Sequence, residues 1–223
     1  MNRYRCIIFD FDGTLADTHT GIVKTFQETI RQMGLPVPSV ERVTSTIGLE
    51  LKDGLKAGVD GMTEEQAVKA CEIYRRIFPE IAIPCITAFP GIPEFLKDLK
   101  DRGFRLAIAT SRSHHSLDGL AEKLGIKDFF EGLYGAEDTV RHKPAPDLVL
   151  HILKKLKFNA SDVLVVGDAT YDLLMGKGAG CEVCGVTWGN QSREKLQSAE
   201  PEYIVSSLEE LSEIIKQTIC SIE

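Results

Sequence analysis

The sequence predicts an α/β fold: a doubly wound, parallel, Rossmann-like sheet forms the core, and a helical cap domain is inserted into it. Two observations predict this architecture. Short, continuous apolar runs alternate with longer amphipathic segments, a pattern typical of parallel strands that are covered by helices on both faces. The alternation is interrupted once, after the first run, by a long segment that has helical patterns and no convincing strand.

Six runs are candidate strands. Four of them are continuous apolar stretches, as expected for strands buried on both faces of a sheet, and two are shorter. In chain order they lie at residues 5–11, 104–110, 133–136, 162–167, 182–188 and 203–205. The runs at 133–136 and 203–205 are the two shorter candidates.

Helical patterns separate most of these runs. They lie at residues 92–102, 116–124, 146–156 and 172–179. Gly103, Gly125 and Gly180 follow three of them, and glycine is the residue that commonly ends a helix. Strands that alternate with helices in this way predict a parallel sheet.

The segment at residues 16–84 is predicted to be a helical cap. It contains amphipathic stretches at 21–33 and 64–78, and Pro36 and Pro38 interrupt it. A segment of this length is too long for a simple crossover helix. We therefore expect a catalytic core of residues 1–15 and 85–223, with the cap placed above the end of the first strand.

Composition and charge exclude several classes of protein. The chain is 43% hydrophobic and 26% charged, as in ordinary globular domains. Its net charge of -7 argues against non-specific nucleic-acid binding, which depends on clustered lysine and arginine. No apolar run approaches the roughly 18–20 residues that cross a bilayer, and the N-terminus does not resemble a secretory signal. We expect neither nucleic acid nor membrane as a partner, and a monomer by default, with a dimer as the alternative.

The six cysteines do not resemble a disulfide scaffold, because they are spread irregularly along the chain. They are Cys6, Cys71, Cys85, Cys181, Cys184 and Cys220. Cys181 and Cys184 form one CxxC motif with no second pair, so we favour two small buried thiols over a metal or redox site. This usage predicts a reduced, cytoplasmic setting.

Polar residues follow four of the predicted strands. They are Asp10, Asp12 and Thr14 after the first, Thr110, Ser111 and Arg112 after the second, Lys143 after the third, and Asp168 and Asp172 after the fourth. Ligands of open α/β sheets bind at the carboxyl ends of the strands. These side chains are therefore predicted to converge on one site.

The residue types at this edge predict phosphoryl chemistry. Clustered carboxylates favour a hard divalent cation such as Mg²⁺, and Lys143 offsets the repulsion that a phosphate would meet there. Asp10 can attack phosphorus and form an aspartyl phosphate. Asp12 can protonate the leaving oxygen and later deprotonate water. Gly13 lets the chain turn after Asp12, and the Thr110 hydroxyl can hold a transferring oxygen.

Each of these residues also has an ordinary structural explanation. The aspartate pair could form a solvated turn, and Thr110 could cap a helix or lie in a turn. Lys143 could lie on the surface, Asp168 could cap the next helix and Asp172 could lie in its first turn. Their joint placement at successive strand ends favours a functional site.

Four segments resemble a known family. FDFDGTLADT, AIATSR, HKPAPD and VVGDATYD are similar, in order, to the four motifs of the haloacid dehalogenase superfamily. The resemblance spans nearly the whole chain, and the insertion resembles that superfamily's helical cap of the first type. Within the superfamily the greatest similarity is to phosphoglycolate phosphatases.

The resemblance assigns a role to each motif residue. It implies that Asp10 is the nucleophile and a magnesium ligand, that Asp12 is the acid/base and a ligand through its backbone carbonyl, and that Asp168 is a further ligand. Thr110 and Ser111 would bind the phosphate, Lys143 would steady both Asp10 and the phosphate, and Asp172 would support the bound metal through water.

Two motifs differ from the usual family sequence, and one loop of the insertion resembles a further feature of the family. Ser111 and Arg112 stand where many relatives have Asn-Lys, and Gly176 stands where alanine is usual. Arg112 is interpreted either as a contact at the pocket mouth or as a surface arginine. The loop at 47–52 resembles the family's substrate loop, in which Lys52 would meet an anionic group, although a plain helix–helix loop explains it equally well.

The expected function is therefore a Mg²⁺-dependent phosphomonoester hydrolase that acts on a small, phosphoglycolate-like metabolite. A phosphomutase of the β-phosphoglucomutase type and an inorganic pyrophosphatase are the alternatives. A signalling receiver is disfavoured because receivers lack an acid two residues after the nucleophile. A dehalogenase would not need Asp12, and a phosphonate-cleaving relative would replace it.

Overall fold

The computed structural model describes residues 3–216. The strands in this range are β1 (Cys6–Phe9), β2 (Ala16–Asp17), β3 (Thr87–Ala88), β4 (Arg105–Ala109), β5 (Gly132–Tyr134), β6 (Val163–Gly167), β7 (Glu182–Val186) and β8 (Tyr203–Val205). The α-helices are α1 (His19–Gln32), α2 (Val40–Thr44), α3 (Leu51–Gly58), α4 (Glu64–Ile81), α5 (Ile92–Asp101), α6 (His114–Lys123), α7 (Asp147–Leu156), α8 (Thr170–Gly178), α9 (Arg193–Gln197) and α10 (Leu208–Ile215).

Six strands form one parallel sheet in the order β5-β4-β1-β6-β7-β8. The predicted doubly wound α/β fold is confirmed. The strand β1 lies between β4 and β6, with Phe9 beside Ile108 on one side and Val166 on the other. The chain therefore changes winding direction beside β1, and the carboxyl ends of these three strands open into one crevice, where such sheets bind ligands.

Helices cover both faces of the sheet, as the continuous apolar strands predicted. Alternate residues of a strand point to opposite faces. In β1, Ile7 and Phe9 belong to one apolar cluster, which includes residues of α5 and α10. Cys6 and Ile8 belong to another, with residues of α7 and α8. The central strand is buried from both sides, so its carboxyl end is held rigidly.

The helices α1 to α4 follow one another between β2 and β3, in the segment where the sequence predicted a helical insertion. The longest, α4, begins at a capping box in which Thr63 and Gln66 satisfy each other's backbone donors. It packs closely on α1 and α3, and Gly58 lies so near the Phe26 ring that a β-carbon there would be 2.5 Å from it. The exact division into 16–84 and the remainder stays a prediction.

A short antiparallel ribbon was missed by the sequence analysis, which found no convincing strand in the insertion. Its strands β2 and β3 pair Ala16 with Ala88 and Asp17 with Thr87. Two residues are too few to show the alternation by which a strand is recognised. The ribbon joins the two ends of the segment that carries the helices α1 to α4.

The glycines predicted to end helices have the expected backbone. Gly103, Gly125 and Gly180 have φ values of 83°, 67° and 81°, in the left-handed region that follows many helices. No helix among residues 3–216 is long and apolar enough to span a membrane.

The paired cysteines Cys181 and Cys184 are free and buried. Burial raises the pKa of each thiol to about 12, so both are protonated at neutral pH. Their environment supports the interpretation as small apolar side chains. Cys220 lies outside the described residues.

Candidate active site

The polar residues predicted to converge do lie together at the carboxyl edge of the sheet. Asp10 follows β1, Thr110 follows β4, and Asp168 follows β6, while Lys143 precedes α7 and Asp172 lies in the first turn of α8. All five are buried. Groups of this polarity are costly to bury unless they are paired, so their contacts indicate what the site is built to hold.

Lys143 bridges two carboxylates. Its Nζ lies 2.5 Å from Asp10 Oδ1 and 2.6 Å from Asp172 Oδ1. Burial alone would lower the pKa of Lys143, but the two negative charges outweigh it and the pKa is raised. The lysine is therefore charged and fixed at Asp10, and the interpretation of it as a surface lysine is wrong.

Asp10 has one satisfied oxygen and one free oxygen. Its Oδ2 is buried and has no hydrogen-bond partner. Burial, followed by the charge of Asp172, holds the pKa of Asp10 well above its usual range, against the opposing effect of Lys143. An unpartnered buried carboxylate oxygen is uncommon in proteins. This atom is available to a cation or to an electrophile.

Asp168 is oriented by a residue that the sequence analysis missed. Its Oδ2 accepts hydrogen bonds from the backbone N of Asn190 at 2.6 Å and from Asn190 Nδ2 at 2.8 Å. Burial, and then the charge of Asp172, raises the pKa of Asp168 to about 7, while the two bonds from Asn190 act in the opposite direction. Asn190 follows β7, the fifth of the predicted strands. A search for polar residues after this strand, as after the first four, would have found it.

A close approach of two loops explains the glycine after Asp12. Gly13 has a φ of 83°, as the predicted sharp turn requires. A β-carbon there would be 2.2 Å from Asp168 Oδ2 and 2.3 Å from Asn190 Nδ2. Glycine thus allows the loop after β1 to pack directly against the carboxylate that follows β6.

The acidic cluster fits a divalent cation. Carboxylate oxygens of Asp10, Asp168 and Asp172 lie within 4.8 Å of one another, and one oxygen of Asp10 is unpartnered. Buried, closely spaced carboxylate oxygens are the donor set that Mg²⁺ prefers. The side chain of Asp12 is not part of this cluster, because Arg112 binds both of its oxygens.

Asp12 and Arg112 form a buried, two-pronged ion pair. Arg112 Nε lies 2.7 Å from Asp12 Oδ2, and Nη2 lies 2.6 Å from Oδ1. The guanidinium also donates to Ser116 Oγ at 2.9 Å and lies over the rings of Phe11 and Phe78. The Arg112 side chain is only 10% exposed, so the interpretation of it as a surface arginine is wrong.

Thr110 and Asp168 are not helix caps. The helix α6 is capped by Ser113, whose side chain accepts a bond from Ser116 N. The helix α8 begins after Ala169, and the backbone N–H of Ala169 donates to Asp172 Oδ2 at 3.1 Å. Neither side chain is used as a cap. Asn190 and Thr14 donate to the carboxylate of Asp168, and Thr110 Oγ1 accepts a bond from Arg112 N at 3.3 Å in the turn after β4.

The loop that resembles the substrate loop touches the core, but Lys52 does not take part. Ser111 Oγ donates to Gly48 O at 2.6 Å, and Tyr171 OH lies 3.4 Å from Ser45 O. Lys52 Nζ instead pairs with Glu64 Oε1 at 2.6 Å. Its role with substrate, and that of Ser111 with phosphate, stay predictions.

Comparison with known proteins agrees with this geometry. The family described as haloacid dehalogenase-like hydrolase matches residues 7–186. The chain is 36% identical over 208 residues to the "Probable phosphatase IndB" of Dickeya dadantii, covering 92% of this chain and 90% of that one. It is 27% identical over 219 residues to a phosphoglycolate phosphatase of Vibrio parahaemolyticus, covering 95% and 96%.

A solved structure has the same fold. The crystal structure of a hydrolase from Pseudomonas syringae superimposes with a TM-score of 0.85 at 27% identity, and the match covers 94% of this chain and 98% of that one. The family match includes the segments that carry Asp10, Thr110, Lys143 and Asp168. The chain therefore belongs to the haloacid dehalogenase-like hydrolases, as a phosphatase that acts on phosphate esters.

Proposed function

We propose that this protein is a Mg²⁺-dependent phosphomonoesterase that cleaves a small, phosphoglycolate-like metabolite through an aspartyl phosphate on Asp10. The observation that carries the proposal is the state of the Asp10 carboxylate. One oxygen is fixed by Lys143 at 2.5 Å, and the other is buried without a partner. A carboxylate oriented in this way is suited to attack the phosphorus atom of a bound ester.

Asp10 is the nucleophile of the first step. Its oxygen forms a bond to phosphorus while the bond from phosphorus to the leaving oxygen breaks, and an acyl phosphate results. Lys143 stays beside Asp10 and stabilises the negative charge on the phosphoryl oxygens. Thr110, buried beside this site, offers a hydroxyl to the same oxygens.

Asp12 transfers the protons. It protonates the leaving oxygen in the first step and takes a proton from water in the second, in which water attacks phosphorus and regenerates Asp10. Asp12 reaches the leaving oxygen only after it loosens its hydrogen bonds to Arg112.

Asp10, Asp168 and the backbone carbonyl of Asp12 would hold Mg²⁺, with Asp172 in support. When bound, the ion supplies a Lewis acid that polarises the phosphoryl oxygens. The closely spaced, buried carboxylates of Asp10, Asp168 and Asp172 support this assignment. We further propose that the enzyme is cytoplasmic and monomeric.

A phosphate-release assay over a panel of phosphomonoesters and pyrophosphate, with Mg²⁺ and with EDTA, tests the proposal. We expect release that requires Mg²⁺ and falls by more than about a thousandfold in Asp10→Asn, because the amide is a poor nucleophile. Pyrophosphate as the preferred substrate would favour the pyrophosphatase alternative. Isomerisation of a sugar phosphate without free phosphate would favour the mutase.

Intact-mass measurement of quenched enzyme provides the control for the intermediate. Wild-type protein should gain the mass of one phosphoryl group, and Asp10→Asn should not. Turnover that survives this substitution would show that Asp10 is not the nucleophile.

A further inference from the structure

The guanidinium of Arg112 lies between the sheet core and the helix α4. On the core side it binds both oxygens of Asp12 and Ser116 Oγ. On the other side it lies 5.1 Å from the centre of the Phe78 ring. This places a buried cation directly beside the residue that must reach the leaving group.

Stability alone does not explain a charge in this position. A buried ion pair of this kind gains little net free energy, because desolvation of the two charges offsets their attraction. Apolar side chains would fill the space between Phe11 and Phe78 equally well. The position of the arginine is better explained by a ligand that it meets there.

Of the two buried cations at the site, Arg112 is the one with more hydrogen-bond donors left for a leaving group. Lys143 is committed to Asp10 and Asp172 by two short contacts. Arg112 has five N–H donors, three of which are used within residues 3–216. Its planar fork matches a carboxylate or a phosphate, as its present contact with Asp12 demonstrates.

Aromatic side chains of α4 lie beside Arg112. The α4 residues Tyr74 and Phe78 are both buried, and their ring centres lie 5.6 Å apart. Burial raises the pKa of Tyr74, whose phenol also feels the charges of Arg112 and Asp12. A phenol and a guanidinium that lie near each other offer the hydrogen-bond donors that suit a short, anionic organic group.

We propose that Arg112 determines specificity: it binds an anionic group on the leaving-group side of the substrate and thereby selects phosphate esters that carry a second negative charge. The inference rests on the proposed phosphatase function. The anion replaces Asp12 as the partner of the guanidinium, and the carboxylate of Asp12 is then free to turn toward the leaving oxygen. An ester without the anion leaves the ion pair intact.

Two esters of matched shape test this proposal with the wild-type enzyme. The probes are 2-phosphoglycolate and its carboxamide, 2-phosphoglycolamide, in which only the carboxylate charge is lost. We expect kcat/KM to be about 30- to 100-fold higher for the carboxylate, the size of a charge-assisted hydrogen bond, with part of the difference in kcat. Equal values would overturn the inference and leave the phosphatase function intact. Turnover of neither ester would overturn the inference together with the phosphoglycolate-like substrate class, while release from the phosphomonoester panel would still test the phosphatase function separately.

Substitution of Arg112 shows whether this residue causes the preference for the carboxylate ester. In Arg112→Gln the ratio between the two esters should fall at least tenfold, and Arg112→Lys should retain part of it, because it keeps the charge without the fork. Arg75→Gln, at an exposed position of α4, is the matched control and should keep the ratio. A ratio that is unchanged in folded Arg112→Gln overturns the proposal. If Arg112→Gln does not fold, the ratios of Arg112→Lys and the wild type decide.

Discussion

At the scale of single residues, the site balances four carboxylates against two buried cations. Lys143 is held by Asp10 and Asp172, and Arg112 is held by Asp12. Asp168 is held by neutral donors of Asn190 rather than by a positive side chain. Asp168 is thus the carboxylate whose charge is least compensated in the described residues, and a bound cation would interact with it strongly.

The replacement Asp168→Asn should abolish stabilisation by Mg²⁺. Binding to the native state alone stabilises a protein by about 2.7 kcal/mol when the free ion is a hundredfold above its Kd. We therefore expect Mg²⁺ to raise the Tm of the wild type, as measured by calorimetry, and to leave that of Asp168→Asn unchanged. In EDTA the variant should be at least as stable as the wild type, because it lacks one of the crowded negative charges.

The matched control for this measurement is Asp162→Asn. Asp162 lies at the opposite, amino end of β6, away from the acidic cluster. It should retain the full increase in Tm. An equal loss in the two variants would show that the ion binds elsewhere.

At the scale of elements, three strand ends and the loops that follow them set the distances within the site. The strand β1 is fixed in register by β4 and β6, so Asp10, Thr110 and Asp168 leave the sheet side by side. The loop after β1 then packs on the loop after β6 at Gly13. This contact between loops helps to set the position of Asp168 relative to Asp10.

The replacement Gly13→Ala should therefore reduce phosphatase activity far more than it reduces stability. The added β-carbon would overlap Asp168 Oδ2, which lies 2.2 Å from its position. Gly103→Ala is a close control, because Gly103 has the same φ of 83° and open space around it. Each change should cost about 1 kcal/mol of unfolding free energy for the left-handed backbone.

Phosphate release and urea unfolding of the two variants check this expectation. Gly103→Ala should keep wild-type activity, and Gly13→Ala should lose about a hundredfold or more, since displacement of a catalytic group by 1 Å has effects of this size. Wild-type activity in Gly13→Ala would show that the contact with Asp168 is not required.

At the scale of the whole molecule, the sheet is enclosed between two apolar layers, and the helices α1 to α4 extend one of them. Cys6, Cys181 and Cys184 are buried inside this assembly. Burial raises the pKa of each thiol to about 12. The reactive thiolate forms of these residues are therefore suppressed by the fold itself.

Alkylation with iodoacetamide, read by peptide mass spectrometry, should leave these three cysteines unmodified in the native protein at pH 8. Thiols of unfolded chains ionise near pH 8.5, whereas these remain protonated until about pH 12. The thiols therefore favour the native state below pH 8.5, and this contribution is lost as the pH rises toward 12. In urea all three should react.

Half-exposed Cys85 is the internal control, because alkylation should reach it first. Rapid native labelling of Cys181 or Cys184, protected by added Zn²⁺, would contradict the apolar interpretation and favour a metal site.

The sequence by itself determined the parallel α/β fold, the inserted helices and the edge at which the predicted site residues meet. Apolar runs and strand ends are local patterns, and the carboxyl ends of parallel strands must share an edge. Only the tertiary structure decided which side chains bind one another. Asn190 orients Asp168, Lys143 joins Asp10 to Asp172, and Arg112 is buried against Asp12 and Phe78. These pairs join residues far apart in the chain, and a long polar side chain has no local pattern that fixes its partner.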